Sequence, residues 1–495
     1  MRSRNNTFVR KSAAPRWVFG ALVLLAAAVC AAPLFRAGAA NPQSGTIAPT
    51  SPTPVTWKGT GTGVPPALGG ESSCVEGQNC DFFKLTISGQ PSDWVAAGKQ
   101  VHVEINWLSN SDDYDLYVHK DSPDGPVVAT SGAGGTTKEA VDLNPRRPNI
   151  GTGDFYVHAV YFTVAAADQY TGTATVVSAP PAAPAAAQAS GIAPRYQNVT
   201  PPAAGPATLG LSAGEPSIGS NWKTGRAMFQ AILQTLRVTF DDSCQTTPKA
   251  TWEDRTAPNT SQQSFDPILF TDREQGRTIV SQLLFNPVLN SASSYTDDDG
   301  NTWVPSQGGG PGQGVDHQTI GGGPYHAPLT GVAYPNAIYY CSQDLVAANC
   351  SRSDDGGRTY GPSIPMYDSA TSGCAGIHGH VKVGRDGTVY VPNKDCEGKQ
   401  AVVVSEDNGV TWKIVPVEQK NVTISTSADS DPSIAVGRGD KVKDTLGNPV
   451  GRVYLGYADA NIDPVVAVSD DRGKTWKNVQ NVGASLGISN VVFPA

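Results

Sequence analysis

Charge is scarce in this sequence: only 16% of its 495 residues are Asp, Glu, Lys or Arg, against about a quarter in an ordinary soluble domain. No nucleotide-cradling loop is present, and no two of the eight cysteines stand in the C-x-x-C spacing that zinc sites favour. Beyond the N-terminus no apolar run is long enough to cross a bilayer, so no membrane span is expected in the mature chain. What is plentiful is Gly (53) and Pro (38), the composition of many short strands joined by turns. At 495 residues the chain exceeds what one core accommodates, so at least two domains are expected.

The N-terminus carries Arg2, Arg4, Arg10, Lys11 and Arg16, an apolar run from Trp17 to Phe35, and the small residues Ala37-Gly38-Ala39-Ala40. This is a secretory signal layout, residues 1–40, with cleavage after Ala39 or Ala40. Removing it leaves 30 basic side chains against 44 acidic ones, a formal charge of −14, which excludes nucleic acid as the natural partner. An exported chain meets oxidising conditions, and the close pairs Cys74 with Cys80, Cys341 with Cys350, and Cys374 with Cys396 read as local disulfides, leaving Cys244 over.

Residues 41–55 are rich in Pro, Ser and Thr and read as a disordered leader; residues 179–208 read as a Pro/Ala-rich linker. Between them, residues 56–178 alternate apolar and polar positions, as in Val101-His102-Val103-Glu104-Ile105 and Phe155-Tyr156-Val157, which predicts an antiparallel β-sandwich. The order Ser111-Asp112-Asp113-Tyr114-Asp115-Leu116-Tyr117-Val118, then Gly153-Asp154-Phe155-Tyr156-Val157, resembles the bacterial pre-peptidase C-terminal domain, a jelly-roll accessory module of secreted hydrolases. Asp112, Asp113 and Asp115 offer oxygen ligands for Ca²⁺, or simply a solvated turn before a strand.

From residue 209 to 495 a pattern repeats. Four segments fit S/T-x-D-x-G-x-T-aromatic, starting at Thr296, Ser353, Ser405 and Ser469, with Asp298, Asp355, Asp407 and Asp471 at the third position. Their starts are 57, 52 and 64 residues apart, the length of one four-stranded propeller blade. The Asp suits a hairpin lock that accepts turn amides, and the Gly suits a positive φ. These are similar to the Asp boxes, or BNR repeats, of the sialidase-like propellers. That resemblance implies an all-β fold, a jelly-roll-like sandwich followed by a six-bladed propeller whose last blade, begun at Phe493-Pro494, the chain cuts short; a closed five-bladed ring is the alternative.

A second repeat places an acid or His just before an apolar strand: Glu215, Asp266, Asp316 with His317, His378 with His380, and Asp431, at intervals of 51, 50, 62 and 53. These positions read as the starts of the inner strands, converging on the mouth where propellers bind ligands. Tyr325 and His326 lie in a nearby segment and are assigned to the same mouth. The carboxylates Glu215, Asp266, Asp316 and Asp431 are then candidate catalytic groups, with His317, His326, His378, His380 and Tyr325 as substrate-binding candidates. A divalent metal on His378 and His380 is a further possibility. For each carboxylate, capping backbone amides is the plain alternative.

Sialidases grip an anionic sugar with three arginines. The motif that supplies the first of these is absent, and none of Arg237, Arg273, Arg277, Arg385 and Arg452 stands at a strand start. The expectation is a secreted or cell-envelope propeller directed at an extracellular glycan or glycoprotein, acting as a glycoside hydrolase on two carboxylates; a non-catalytic glycan- or protein-binding propeller is the alternative.

Overall fold

The computed structural model describes residues 40–66, 70–132, 136–181, 183–187, 197–201, 216–241, 249–258, 266–285, 289–307, 316–326, 329–343, 347–418, 431–439, 441–488 and 491. The signal segment other than Ala40, and with it Glu215, Cys244 and Phe493-Pro494, lies outside these described residues. The chain divides into two compact units.

The first unit is a β-sandwich built from β1 (Ser44–Ile47), β2 (Val55–Thr60), β3 (Cys80–Ile87), β4 (Lys99–Asn106), β5 (Asp113–Lys120), β6 (Val127–Ser131), β7 (Lys138–Leu143), β8 (Gly153–Thr163) and β9 (Gln169–Ser178). One sheet runs β1-β3-β8-β5-β6 and the other β2-β9-β4-β7. Alternation sends Phe83, Leu85, Leu116, Val118, Phe155 and Val157 into the core with Trp57, Val103 and Ile105, and Trp57 stacks on Phe83 at 3.9 Å between ring centres. The leader expected at 41–55 is a correction: β1 pairs in parallel with β3 and buries Ile47 completely. Composition hid a strand of four residues whose single apolar anchor is enough to dock a sheet edge.

The second unit is the propeller. Its blades are β10 (Ser217–Asn221) to β13 (Lys249–Asp254), with β11 (Arg226–Ala231) and β12 (Gln234–Asp241) between; β14 (Pro267–Asp272), β15 (Arg277–Phe285), β16 (Leu289–Thr296) and β17 (Val304–Pro305); and β18 (Asp316–Gly323), β19 (Ala337–Gln343), β20 (Ala347–Ser353) and β21 (Ile364–Asp368). The fourth splits its inner strand into β22 (Cys374–His378) and β23 (Lys382–Val383), both paired with β24 (Val389–Cys396), followed by β25 (Lys399–Ser405) and β26 (Lys413–Pro416). The fifth is β27 (Ser433–Val436), β28 (Val453–Ala458), β29 (Pro464–Ser469) and β30 (Lys477–Asn481). Five blades therefore lie within the described residues. Part of the expected linker is docked: Ala185 bridges to Asn481, and Ala183 packs on the core shared by the fourth and fifth blades.

Blades are held by apolar seams between successive sheets. One cluster holds Met228 and Val280, another Ile279 and Tyr340, a third Tyr339, Val391 and Val403, and a fourth Tyr390, Leu455 and Tyr457. The three expected disulfides are closed, Cys74–Cys80, Cys341–Cys350 and Cys374–Cys396.

Each Asp box is the expected lock. In the third copy Asp407 accepts the Thr411 amide at 2.9 Å and the Thr411 hydroxyl at 2.6 Å, while Ser405 Oγ accepts the Gly409 amide at 2.9 Å. Gly409 stands at φ 77° and Asn408 before it at 62°, so two successive left-handed residues make the turn, one more than the motif suggested. Burial alone would raise the Asp407 carboxyl, but the bonds from Thr411 and Ser405 bring it below the usual range. Asp407→Ala is expected to cost about 1.5–3 kcal/mol, read as a lower melting temperature of the propeller, with no change in ligand binding at the distant mouth.

Candidate functional site

Asp266, Asp316 and Asp431 stand at or just before the starts of β14, β18 and β27, whereas His378 ends β22 and His380 lies in the break before β23. Three contacts near these inner-strand starts staple neighbouring blades. Ser217 Oγ accepts the Leu269 amide at 2.8 Å, Asp266 accepts the Gln318 amide at 2.9 Å, and Thr319 Oγ1 accepts the Val381 amide at 3.1 Å. Asp266 is thus a strand-to-strand cap, which is the plain alternative named for it.

Beyond the staples, imidazoles gather at the hub. His317 sits at a bulge where β18 slips its register against β19, and its φ is 46°. A non-glycine residue in that region costs about 1–3 kcal/mol and persists only where its surroundings enforce it. The conformation brings His317 Nε2 to 3.0 Å from Asp431 Oδ2, two blades further round. Lys394 Nζ, on β24, lies 3.5 Å from the other oxygen of Asp431. Burial would raise the Asp431 carboxyl, yet His317 and Lys394 hold it below its ordinary range. It is an anion clamped between two donors and a poor general acid.

His378 and His380 complete the group. The His317 ring lies edge-on to His378 at 5.5 Å and parallel to His380 at 6.2 Å between centres. His378 is completely buried; its Nδ1–H donates to the Gly379 carbonyl at 3.0 Å, and its Nε2 has no hydrogen-bond partner. Burial, with His317 nearby, pushes it down to about 3. His380 Nδ1 is hydrogen-bonded to Thr319 Oγ1 at 3.1 Å. His380 and Lys382 keep solvent-accessible surface although protein surrounds them closely, as befits side chains lining a wet hub. Those surroundings, then Lys382 and His317, push His380 down to about 4.

Several expectations need correction. Tyr325 and His326 follow the far end of β18: Tyr325 donates to Asp354 at 3.1 Å and the His326 amide to Asn408 at 2.7 Å. Both donate to residues of Asp-box turns, at the opposite end of the blades from the mouth. Asp431, read as a free acid of the mouth, is instead neutralised by His317 and Lys394, and Lys382 stands near His380. Sequence reasoning passed over both lysines; Lys382 sits two residues after His380, a period-two signal. For a metal on His378 and His380 the geometry offers no third ligand: among the propeller's described residues no three His, Cys, Asp or Glu ligand atoms converge closely enough for one ion. Asp112 is engaged with the Ala165 amide at 2.7 Å, and Asp115 is pushed up to about 6 by burial, then by Asp113 and Glu139. Asp316 begins β18, opposite Gln343.

Two other features compete with the hub. A cleft of about 260 Å³ opens among Asp407, Trp412, Lys413, Arg472 and Lys474. It lies at the Asp-box end, and Arg472 and Lys474 are already paired with Asp386, Asp444 and Glu406. Gly483-Ala484-Ser485-Leu486-Gly487 has the spacing of a serine nucleophile elbow, but forms an exposed 3₁₀ turn rather than a strand-to-helix corner.

No family model matches the chain. No curated protein matches it. Among solved structures it is similar to the NanB sialidase of Streptococcus pneumoniae, at 10% identity and a TM-score of 0.37 over 76% of this chain and 86% of that one. It is also similar to the leech intramolecular trans-sialidase, at 11% and 0.36 over 75% and 83%, and to that of Ruminococcus gnavus, at 13% and 0.33 over 54% and 83%. With TM-scores below 0.5, these likenesses carry no argument about the site.

Proposed function

We propose that this is an exported, glycan-directed propeller protein that binds a hydroxyl-rich ligand at the hub. The observation that carries the reading is the strained His317, held against Asp431 across two blades. Strain at a polar, partly wet site is where pre-organisation for a ligand is found. Imidazole nitrogens, one fixed carboxylate and two ammonium groups suit sugar hydroxyls, and an acidic substituent would be tolerated beside Lys382 and Lys394. The signal layout and the three closed disulfides support export. The sandwich is read as an accessory module of the pre-peptidase C-terminal kind. No helix among the described residues is long and apolar enough to cross a membrane.

The 3.0 Å His317–Asp431 pair favours a second reading, hydrolysis with His317 as general base and Asp431 orienting it. A glycosidase using two free carboxylates would have to draw them from Glu215 and Asp316, because Asp266 caps a strand and Asp431 is ion-paired. The test is a glycan array joined to a hydrolysis screen, with a sialoside included. Asp431→Asn is expected to weaken ligand retention roughly tenfold or more, since it removes a charge-assisted partner. His317→Asn should weaken retention as well, and abolish turnover if the protein is an enzyme. A folded wild type that neither retains nor cleaves any glycan would sink the proposal.

A further inference from the structure

A second cluster of chemically able side chains lies in the sandwich. In β5 and β8 alternation buries one face and leaves the other half exposed, and His119 and His158 fall on the outward face, yet they are among the buried residues. The pairing of Tyr117 with His158 and of His119 with Tyr156 makes them diagonal neighbours on adjacent strands. What covers them is the segment Gly70–Ser73, a 3₁₀ turn running into the Cys74–Cys80 disulfide, which lowers Glu71 onto both rings. Glu71 Oε1 is 2.9 Å from His119 Nε2 and 3.1 Å from His158 Nδ1. The two rings stack at 4.3 Å, and Phe82 closes the far side of His158 at 3.8 Å.

The hydrogen bonding around this cluster has the form of a metal site. His119 Nδ1 lies 2.7 Å from the Gly125 carbonyl, which can only accept, so the proton sits on Nδ1 and the Nε2 lone pair of the neutral ring faces the carboxylate. Two lone-pair atoms 2.9 Å apart need a cation between them or a second proton on the ring. A backbone carbonyl on the remote nitrogen is the usual outer support of a ligating imidazole. His158 turns Nδ1 to the same carboxylate oxygen; with the ring's proton on Nε2, which is buried without a hydrogen-bond partner, the Nδ1 lone pair faces the centre. All three ligand atoms lie within 4.8 Å of one another. Zinc bonds of about 2.0–2.2 Å place tetrahedral ligands roughly 3.4 Å apart, so an opening of a few tenths of an ångström suffices.

We propose that Glu71, His119 and His158 bind one divalent transition-metal ion, Zn²⁺ by the softness of the donors, and that the ion fastens the disulfide loop to the sandwich. Two imidazoles and a carboxylate suit zinc better than calcium. The closed, aromatic-sealed setting marks a structural site.

The test uses the full mature chain, stripped with chelator and titrated with Zn²⁺, its metal content measured by mass spectrometry. About one equivalent is expected to remain after gel filtration and to raise the melting temperature. His119→Gln, His158→Gln and Glu71→Gln should each lose at least roughly tenfold in affinity, whereas His378→Gln should keep the ion. Should a variant fail to fold, Co²⁺ on the wild type provides the second readout, with the intense visible absorption of a tetrahedral centre. A wild type that takes up no Zn²⁺ would show that a protonated His119–Glu71 pair holds the loop instead, and Zn²⁺ that persists in all three variants would place the ion elsewhere; either result overturns the proposal.

Discussion

Gly379→Ala is expected to cost the propeller about 3 kcal/mol or more and to abolish ligand retention with it, because the added carbon collides with backbone and not with a side chain that can swing away. A Cβ on Gly379 would stand 2.0 Å from the Pro432 carbonyl oxygen and 2.9 Å from the Pro392 ring. Its φ is not in the left-handed region, so the effect is purely one of space. Gly379 lies between His378 and His380, and Pro432 comes directly after Asp431. The close approach of these two backbones is what sets the fourth blade's imidazoles beside the fifth blade's carboxylate. Relief of the clash must therefore separate the groups of the site. Gly439→Ala, where nothing lies within 4 Å, is the control and should stay within about 0.5 kcal/mol. Equal melting temperatures for the two variants would refute this account of the hub.

The fold was legible because its signals are local and repeated. The Asp box works within one turn, so its residues carry the whole interaction in eight positions, and four copies at blade spacing require blades. The hub positions were legible for the same reason: Asp266, His317, His378, His380 and Asp431 stand at blade intervals, although His378 ends a strand where the repeat suggested a start. Tyr325 and His326 were misplaced because nearness in sequence was read as nearness in space. A strand of eight residues such as β18 spans roughly 26 Å, so the residues after it belong to the other end. The staple between Asp266 and Gln318 was not legible at all, since the partner backbone lies 52 residues on. Likewise Glu71 meets His119 and His158 only through sheet pairing and a loop closed by a disulfide. Neither histidine breaks the alternation of residue types, because imidazole is at home on a wet face. Only the folded chain shows that both are buried.

The propeller should lose stability in mildly acidic solution, well before its Asp boxes protonate. An unfolded chain binds a proton to histidine near pH 6.5, while folded His378 resists until about 3. Between those values the unfolded state holds more protons, so stability is complete above about 6.5 and falls as the pH drops toward 3. At about 1.4 kcal/mol for each pH unit, the loss from this residue is about 2 kcal/mol by pH 5 and on the order of 5 kcal/mol by pH 3. The cause is visible at the ring: Nδ1 is committed to the Gly379 carbonyl, and a proton on Nε2 would find no acceptor in a fully buried site. Asp459 and Asp463, both raised by burial, act in the opposite sense, so the effect is isolated as a difference between wild type and His378→Gln. For a unit of this size the wild-type melting temperature should fall roughly 3 °C further than the variant's between pH 7 and pH 5. The lowered Asp-box carboxylates behave with the reverse proton bookkeeping: their contribution is present above their unfolded value near 3.8 and disappears only as pH falls below it. Acid unfolding in two stages, an imidazole stage reduced by His378→Gln to what His380 contributes and a carboxylate stage untouched by it, is therefore the expected record. Parallel curves for the two proteins down to about pH 5 would mean that His378 accepts its proton without leaving the fold, and that the hub is more open than its burial implies.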